Sequence, residues 1–197
     1  MQKTLHALLL VALLVASACA TGGNTDYEGV RQTGRYSVSY EGPEMEASVL
    51  FHGVDRDMGS GWLVVVAQLR GTLRSGIVTI HRNDISLRTP DGRRLPLLSQ
   101  SEFREAYHEI HTRVRRLVTS SEPLQTYASD LRRCDRWFLV QPGRGFSQDE
   151  LGISSFEVCW GPLVFAVPGG VQPGRWRLII DLEESRVDVP FELEVER

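Results

Sequence analysis

The strongest structural signal in the chain is WLVVVAQL, residues 62–69. Valines fill the middle of this run, and glycines at positions 61 and 71 flank it. A short apolar run with β-branched residues between turn residues is typical of a strand buried on both faces. We therefore predict a central strand here.

Shorter strand patterns lie on both sides of this run, at residues 36–40, 47–54 and 77–80. Pro90-Asp91-Gly92 separates two more, 85–89 and 94–97, and predicts a hairpin because Asp-Gly tolerates positive φ. Further patterns follow at 137–140, 156–160, 163–167, 176–182 and 187–195, with a long polar loop over 141–155. Pro190 favours an edge position for the last strand. Roughly nine short strands predict a mostly β fold, an antiparallel β-sandwich.

The hydrophobic period changes in the middle of the chain. Residues 101–118 carry one apolar stripe at steps of four and three, which is typical of an amphipathic helix. Ser99 and Glu102 form a capping-box pattern at its start. A second short helix is predicted from Pro123 to Arg133, so the sandwich has a two-helix insertion over about residues 100–133. The stripe consists of Phe103, Tyr107, Ile110, Val114 and Leu117.

A helical wheel divides the polar surface of the first helix into two flanks. One flank is basic and consists of Arg104, His108, His111 and Arg115. The other mixes charges that can pair at i,i+4, such as Glu109 with Arg113. The ordinary interpretation of the basic flank is a solvated face. The alternative is a candidate docking strip for an acidic partner, lipid A phosphate or anionic lipid, which histidine protonation strengthens at acidic pH.

The histidines of this helix do not match a metal motif. His108 and His111 are separated by i,i+3, whereas the His-Glu-x-x-His zinc motif needs i,i+4, and no third ligand is evident. We predict no metal and no cofactor.

The N-terminal sequence is MQKTLHALLLVALLVASACA. It has a basic start, a short apolar run and small residues, which is typical of a secretory signal. Ala16-Ser17-Ala18-Cys19 resembles the lipobox of bacterial lipoproteins. That resemblance implies that Cys19 is alkylated with diacylglycerol, becomes the first residue and is then acylated on its amine. The triplet also fits ordinary signal peptidase, so plain secretion is the alternative.

These features divide the chain into three parts. We assign residues 1–18 to the signal peptide, 19–33 to lipidated Cys19 and a flexible tether, and 34–197 to a single β-sandwich domain with the helical insertion. The strand pattern resembles the immunoglobulin-like domains of envelope lipoproteins, in pattern alone. We expect a lipid-anchored protein of the cell envelope, in the outer membrane, facing the periplasm or the cell surface.

Two further cysteines, Cys134 and Cys159, remain once Cys19 is lipidated. Exported compartments are oxidising, so we predict a disulfide between them. The alternative is a redox or metal-binding thiol pair, although no Cys-x-x-Cys motif or zinc spacing supports it.

Composition and motifs also bear on function. The net charge of −3 at pH 7 argues against a nucleic-acid binder. No catalytic motif is recognisable, so we predict no catalytic residues and a non-catalytic binding or assembly module with an envelope protein partner. The alternatives are a hydrolase or carbohydrate-active enzyme on envelope material, and a small-ligand or metal-binding module that uses His108 and His111.

Overall fold

A computed structural model of the chain describes residues 28–126 and 131–195. Cys19 and most of the predicted tether lie outside these ranges. The described residues form twelve strands and one α-helix. In chain order the strands and the helix are β1 (Val30–Gly34), β2 (Ser37–Glu41), β3 (Met45–Leu50), β4 (Trp62–Gly71), β5 (Val78–His81), β6 (Ile85–Arg88), β7 (Arg94–Pro96), α1 (Gln100–Thr126), β8 (Arg132–Cys134), β9 (Glu150–Ile153), β10 (Glu157–Ala166), β11 (Gly174–Asp181) and β12 (Arg186–Leu193).

The strands form three sheets. The largest has the order β1-β2-β3-β4-β10-β8, the second has the order β12-β11-β6-β7, and β5 pairs with β9 alone. All pairs are antiparallel except β8 with β10. The sheets share one hydrophobic core, and Phe51 stacks on Phe191 across it at a ring-centroid distance of 5.0 Å. The prediction of a mostly β protein with sandwich-like sheets is confirmed. Because β1 begins at Val30, the large sheet includes residues that we assigned to the tether.

Strand β4 occupies the interior of the large sheet, as predicted from its sequence. Residues 63–67 are buried without alternation, whereas Gln68 and Arg70 are half-buried around buried Leu69. The change occurs because α1 packs on β4 and covers one sheet face over the first half of the strand. The apolar run therefore marks the part of β4 that is covered on both faces.

The predicted hairpin is confirmed, and a second one closes the domain. Strands β6 and β7 pair around Pro90-Asp91-Gly92, and Gly92 has φ of 88°. Strands β11 and β12 form the closing hairpin, with Trp176 opposite Phe191. Pro190 lies in β12 at the edge of its sheet, where a missing N–H costs no ladder hydrogen bond.

The prediction of a two-helix insertion is wrong. One helix, α1, runs from Gln100 to Thr126, through the position where we began a second helix at Pro123. Residues 127–130 lie outside the described ranges, and Arg132–Cys134 is strand β8. Its backbone pairs in parallel with Glu157–Cys159 of β10, a partner distant in sequence that a local pattern cannot indicate.

Other strands also differ from the prediction. Residues 156–167 hold one strand, β10, instead of two, and the predicted loop over 141–155 contains β9. Residues 137–140 are not a strand. Instead, the Trp137 indole Nε1 donates to the Pro162 carbonyl at 2.8 Å, and the backbone N–H of Leu98 donates to the Val164 carbonyl at 3.1 Å. These contacts satisfy the edge of β10 beyond its short pairing with β8, so Pro162 is tolerated there.

Candidate functional site

Helix α1 begins with the predicted capping box. The Glu102 backbone N–H donates to the Ser99 hydroxyl at 3.2 Å, and the Ser99 N–H donates to Glu102 Oε2 at 2.7 Å. The hydrogen bonds from Ser99 hold the pKa of Glu102 below its ordinary value. The reciprocal bonds satisfy two backbone donors at the helix start and fix its first turn.

The apolar stripe of α1 faces the core as predicted. Phe103, Ile110 and Val114 are fully buried, Leu117 nearly so, and Tyr107 packs against the core at the edge of the stripe. This packing fixes the rotation of the helix about its axis. The positions of the two polar flanks follow from that rotation.

The flank with mixed charges is bound to the rest of the domain. Glu109 Oε2 accepts from the Trp62 indole at 3.0 Å. Arg113 Nε donates to Asp57 Oδ1 at 2.9 Å, and Arg116 Nη1 lies 3.6 Å from the other Asp57 oxygen. Asp57 has a side-chain exposure of only 9%. The predicted ion pair between Glu109 and Arg113 is wrong, because both side chains bind residues of the β3–β4 connection and β4 instead.

The basic flank, which we call the basic strip, consists of Arg104, His108, His111 and Arg115, all of them exposed. The four positions recur at steps of four, three and four, so they span about 16 Å along one line of the helix. The two imidazole rings stack at a centroid distance of 6.1 Å, and His111 Nδ1 lies 2.8 Å from the His108 carbonyl. Among the side chains that the structure describes, at residues 28–120 and 131–195, neither arginine has an ion-pair partner.

The structure joins Cys134 to Cys159 in a disulfide, as predicted. The two residues are register partners in β8 and β10, with a Cα–Cα distance of 4.6 Å. With Glu157 they form a possible three-ligand metal cluster. In this state the sulfurs bind each other, and Arg136 donates to Glu157 at 2.8 Å, so the cluster offers no thiolate to a metal.

Two arginines near Cys134 have partners that the sequence did not indicate. Arg136 binds Glu157, and the Arg133 guanidinium lies 4.7 Å from the centroid of the Trp160 ring. Trp160 and Trp62 are half-buried, whereas Trp137 and Trp176 are buried with their indole N–H groups bound to carbonyls. These two serve the packing of the core.

A cavity of about 510 Å³ lies at the end of the domain where the β1–β2 turn meets the end of β12. Tyr36, Phe51, Asp55 and Glu192 are among its lining residues, and Oδ1 of Asp55 is buried without a hydrogen-bond partner in the described structure. Sequence analysis missed this cavity. Its walls come from segments near both ends of the domain, and no local motif connects them.

Comparisons with known proteins give no relative for this chain. It matches no family model, and no curated protein or solved structure matches it significantly. Among the described helices, none has the length and apolar character needed to cross a membrane.

Proposed function

We propose that this chain is a lipid-anchored protein of the cell envelope that binds an acidic envelope partner through the basic strip of α1. In this proposal Cys19 carries the lipid, residues up to the start of β1 form the tether, and the β domain is a non-catalytic binding or assembly module. The likeness to immunoglobulin-like domains stays a prediction. The order of β1 to β4, a consecutive meander, differs from the immunoglobulin strand order and does not support it.

The observation that carries the proposal is the contrast between the two flanks of α1. Glu109, Arg113 and Arg116 are all used by contacts inside the domain. On the opposite flank, Arg104 and Arg115 have no ion-pair partner among the side chains described at residues 28–120 and 131–195. A row of unneutralised cations on a rigid helix attracts an anionic surface and steers its approach.

The test is cross-linking of the full chain in cells, followed by identification of what co-purifies. We expect a reproducible partner that is lost when Arg104→Glu and Arg115→Glu are combined. The matched control combines Arg88→Glu with Arg144→Glu, which changes the net charge equally at two exposed arginines outside the strip. A partner that survives the strip variant, or is lost equally in the control, would contradict a specific role for the strip.

Lipid anchoring has a separate test. Mass spectrometry of the N-terminal peptide should give a mass increment on Cys19 for a diacylglycerol and an acyl chain. Cys19→Ala should move the protein from the membrane fraction to the soluble fraction, since dual acylation gives stable anchoring. An unmodified peptide that begins at another residue would favour plain secretion.

A second candidate function uses the cavity lined by Asp55. Its lining includes the acidic residues Asp55, Glu192 and Glu194 together with Arg35, which favours a ligand that donates hydrogen bonds or carries positive charge. This supports the small-ligand alternative, and a hydrolase would also need carboxylates such as Asp55 and Glu192 in one cavity. Asp55→Asn should abolish binding of a cationic ligand found by screening, whereas zinc bound by His108 and His111 would survive that change and be visible in native mass spectrometry.

A further inference from the structure

Four connections meet at one end of the domain, which we call the β4-terminal end because β4 finishes there at Gly71. The Gly71 N–H donates to the Ser154 carbonyl at 3.1 Å, and the Thr72 N–H donates to the Glu44 carbonyl at 3.0 Å. The Ser185 hydroxyl donates to the Glu44 carboxylate. These bonds bring together the β2–β3, β4–β5, β9–β10 and β11–β12 connections.

The described chain also begins at this end. The Glu41 N–H donates to the Gly29 carbonyl at 2.9 Å, beside the β2–β3 connection. Glu28 and Gly29, which precede β1, therefore lie at the β4-terminal end. The cavity lined by Asp55 lies at the opposite end, near the last residues of β12.

Three large apolar side chains protrude from the β4-terminal end. Leu73 is 86% exposed, Ile77 is 76% exposed and Phe156 is 77% exposed. Leu73 and Ser155 line one depression of about 410 Å³. Ile77 lies beside Gly152 of β9, where an added Cβ would be 3.3 Å from Ile77 Cγ2. Ile77 is therefore close to the β9–β10 connection, which contains Ser155. Exposed apolar side chains that share one end of a domain favour a surface that another molecule covers.

We propose that Leu73, Ile77 and Phe156 insert into the interfacial region of the lipid bilayer that holds the Cys19 anchor. The inference rests on the proposed lipid anchoring. From Cys19 to Glu28 there are 28 − 19 = 9 residue steps, which reach at most about 31 Å and have a root-mean-square span of roughly 15–18 Å when flexible. The anchor thus keeps the β4-terminal end close to the membrane surface.

The exposed charges at this end are mixed. Glu41, Glu183 and Glu184 are exposed, and so are Arg74 between Leu73 and Ile77, Arg186 at the start of β12, and Arg132, the register partner of Glu157. Because neither sign of charge prevails, apolar insertion must supply the attraction, and zwitterionic phospholipid fits this surface. The Arg74 side chain can extend its stem over the lipid while its charge stays in water.

The test places a tryptophan at the proposed insertion site in the full, lipidated chain. The protein is reconstituted into phosphatidylcholine vesicles with lipids brominated near the headgroup, which quench nearby indoles. Phe156→Trp is compared with Phe146→Trp, since Phe146 is also highly exposed, at 91%, but lies in the loop before β9. We expect quenching of the added emission at position 156 to be at least about threefold greater than at 146, and Leu73→Ser with Ile77→Ser to remove the difference.

Three outcomes would overturn the inference. Equal quenching at positions 156 and 146 would mean that this end does not enter the lipid. Stronger quenching when phosphatidylglycerol replaces half of the phosphatidylcholine would assign the contact to charge instead of apolar insertion. Concentration-dependent dimers in detergent that Leu73→Ser abolishes would assign the patch to a second copy of the chain.

Mass spectrometry of the same samples determines separately whether Cys19 carries a lipid. If Cys19 carries no lipid, the proposed anchoring is wrong, and the quenching at position 156 is then measured on protein that sediments with the vesicles. Greater quenching at 156 than at 146 in that protein supports the patch without the anchor. Absence of sedimentation or of the difference refutes it.

Discussion

Removing the Cys134–Cys159 disulfide should destabilise the domain by an amount that its loop length sets. The sequence separation is 25 residues, for which the chain-entropy relation gives about 12 cal/mol/K, or about 3.5 kcal/mol at 25 °C. The bond holds the three-residue strand β8 against β10, where β8 has few other contacts. Without it, we expect the unfolding free energy of the Cys134→Ala/Cys159→Ala variant to fall by about 3.5 kcal/mol.

The assay is urea unfolding followed by tryptophan fluorescence, because Trp160 and Trp137 lie close to the bond. With a typical slope of about 2 kcal/mol/M, the midpoint should fall by roughly 1.7 M. Dithiothreitol should lower the midpoint of the wild-type chain by a similar amount and leave the variant unchanged. Cys19→Ala, which keeps the disulfide, should retain the response to reductant. A variant within about 1 kcal/mol of the wild type would refute the reasoning.

Three further predictions concern packing and acid stability. Asp57→Asn removes the carboxylate that binds two helix arginines, and should cost about 2 kcal/mol in urea unfolding, less than a fully buried pair because the arginines are partly exposed; no loss would mean that the apolar stripe alone holds α1. Gly161→Ala would place a Cβ 2.4 Å from the Trp137 indole and should cost about 1–3 kcal/mol, with a changed near-ultraviolet circular dichroism spectrum; an unchanged spectrum would contradict the contact. The Arg186 hydrogen bond lowers the pKa of Asp181, so its stabilisation exists above the ordinary carboxyl pKa and disappears as the pH falls through the lowered value. Tm should therefore fall less steeply below pH 4 in Asp181→Asn, and parallel curves would count against it.

The elements that sequence predicted well are those whose signal is local. The apolar run of β4, the three-four periodicity of α1, the Ser99–Glu102 capping box and the Asp91-Gly92 turn each lie within a few residues. In each case the secondary structure that the local sequence favours is also the one that the tertiary contacts require. The predicted bounds of β4 and of the hairpin strands therefore lie within two residues of the observed ones, and α1 begins within one residue of its predicted start, although it extends to Thr126.

The elements that sequence missed depend on distant partners. The segment 132–134 has helical periodicity on its amino-terminal side, yet pairing with Glu157–Cys159 makes it a strand. β9 is short and polar, and exists because β5 offers it a partner. Residues 156–160 and 163–167 form one strand that contains Pro162, whose carbonyl accepts from the Trp137 indole 25 residues away.

The same distinction applies to the candidate site. The helical wheel predicted that the basic strip is exposed, because exposure follows from the apolar stripe alone. It could not predict that Glu109 binds Trp62 or that Arg113 binds Asp57, since these partners lie 47 and 56 residues away. Those distant contacts distinguish the two flanks, and they turn a general property of amphipathic helices into a specific candidate surface.

The two proposed surfaces differ in the force that would drive binding. The two arginines of the basic strip have no ion-pair partner among the described side chains, so the attraction of the strip is Coulombic and must weaken as salt shortens the Debye length from about 10 Å at 0.1 M to about 3 Å at 1 M. The β4-terminal end has apolar side chains among charges of both signs, so salt would leave its binding nearly unchanged. A single protein can thus hold its membrane contact while its partner dissociates. Each surface is identifiable by its response to salt.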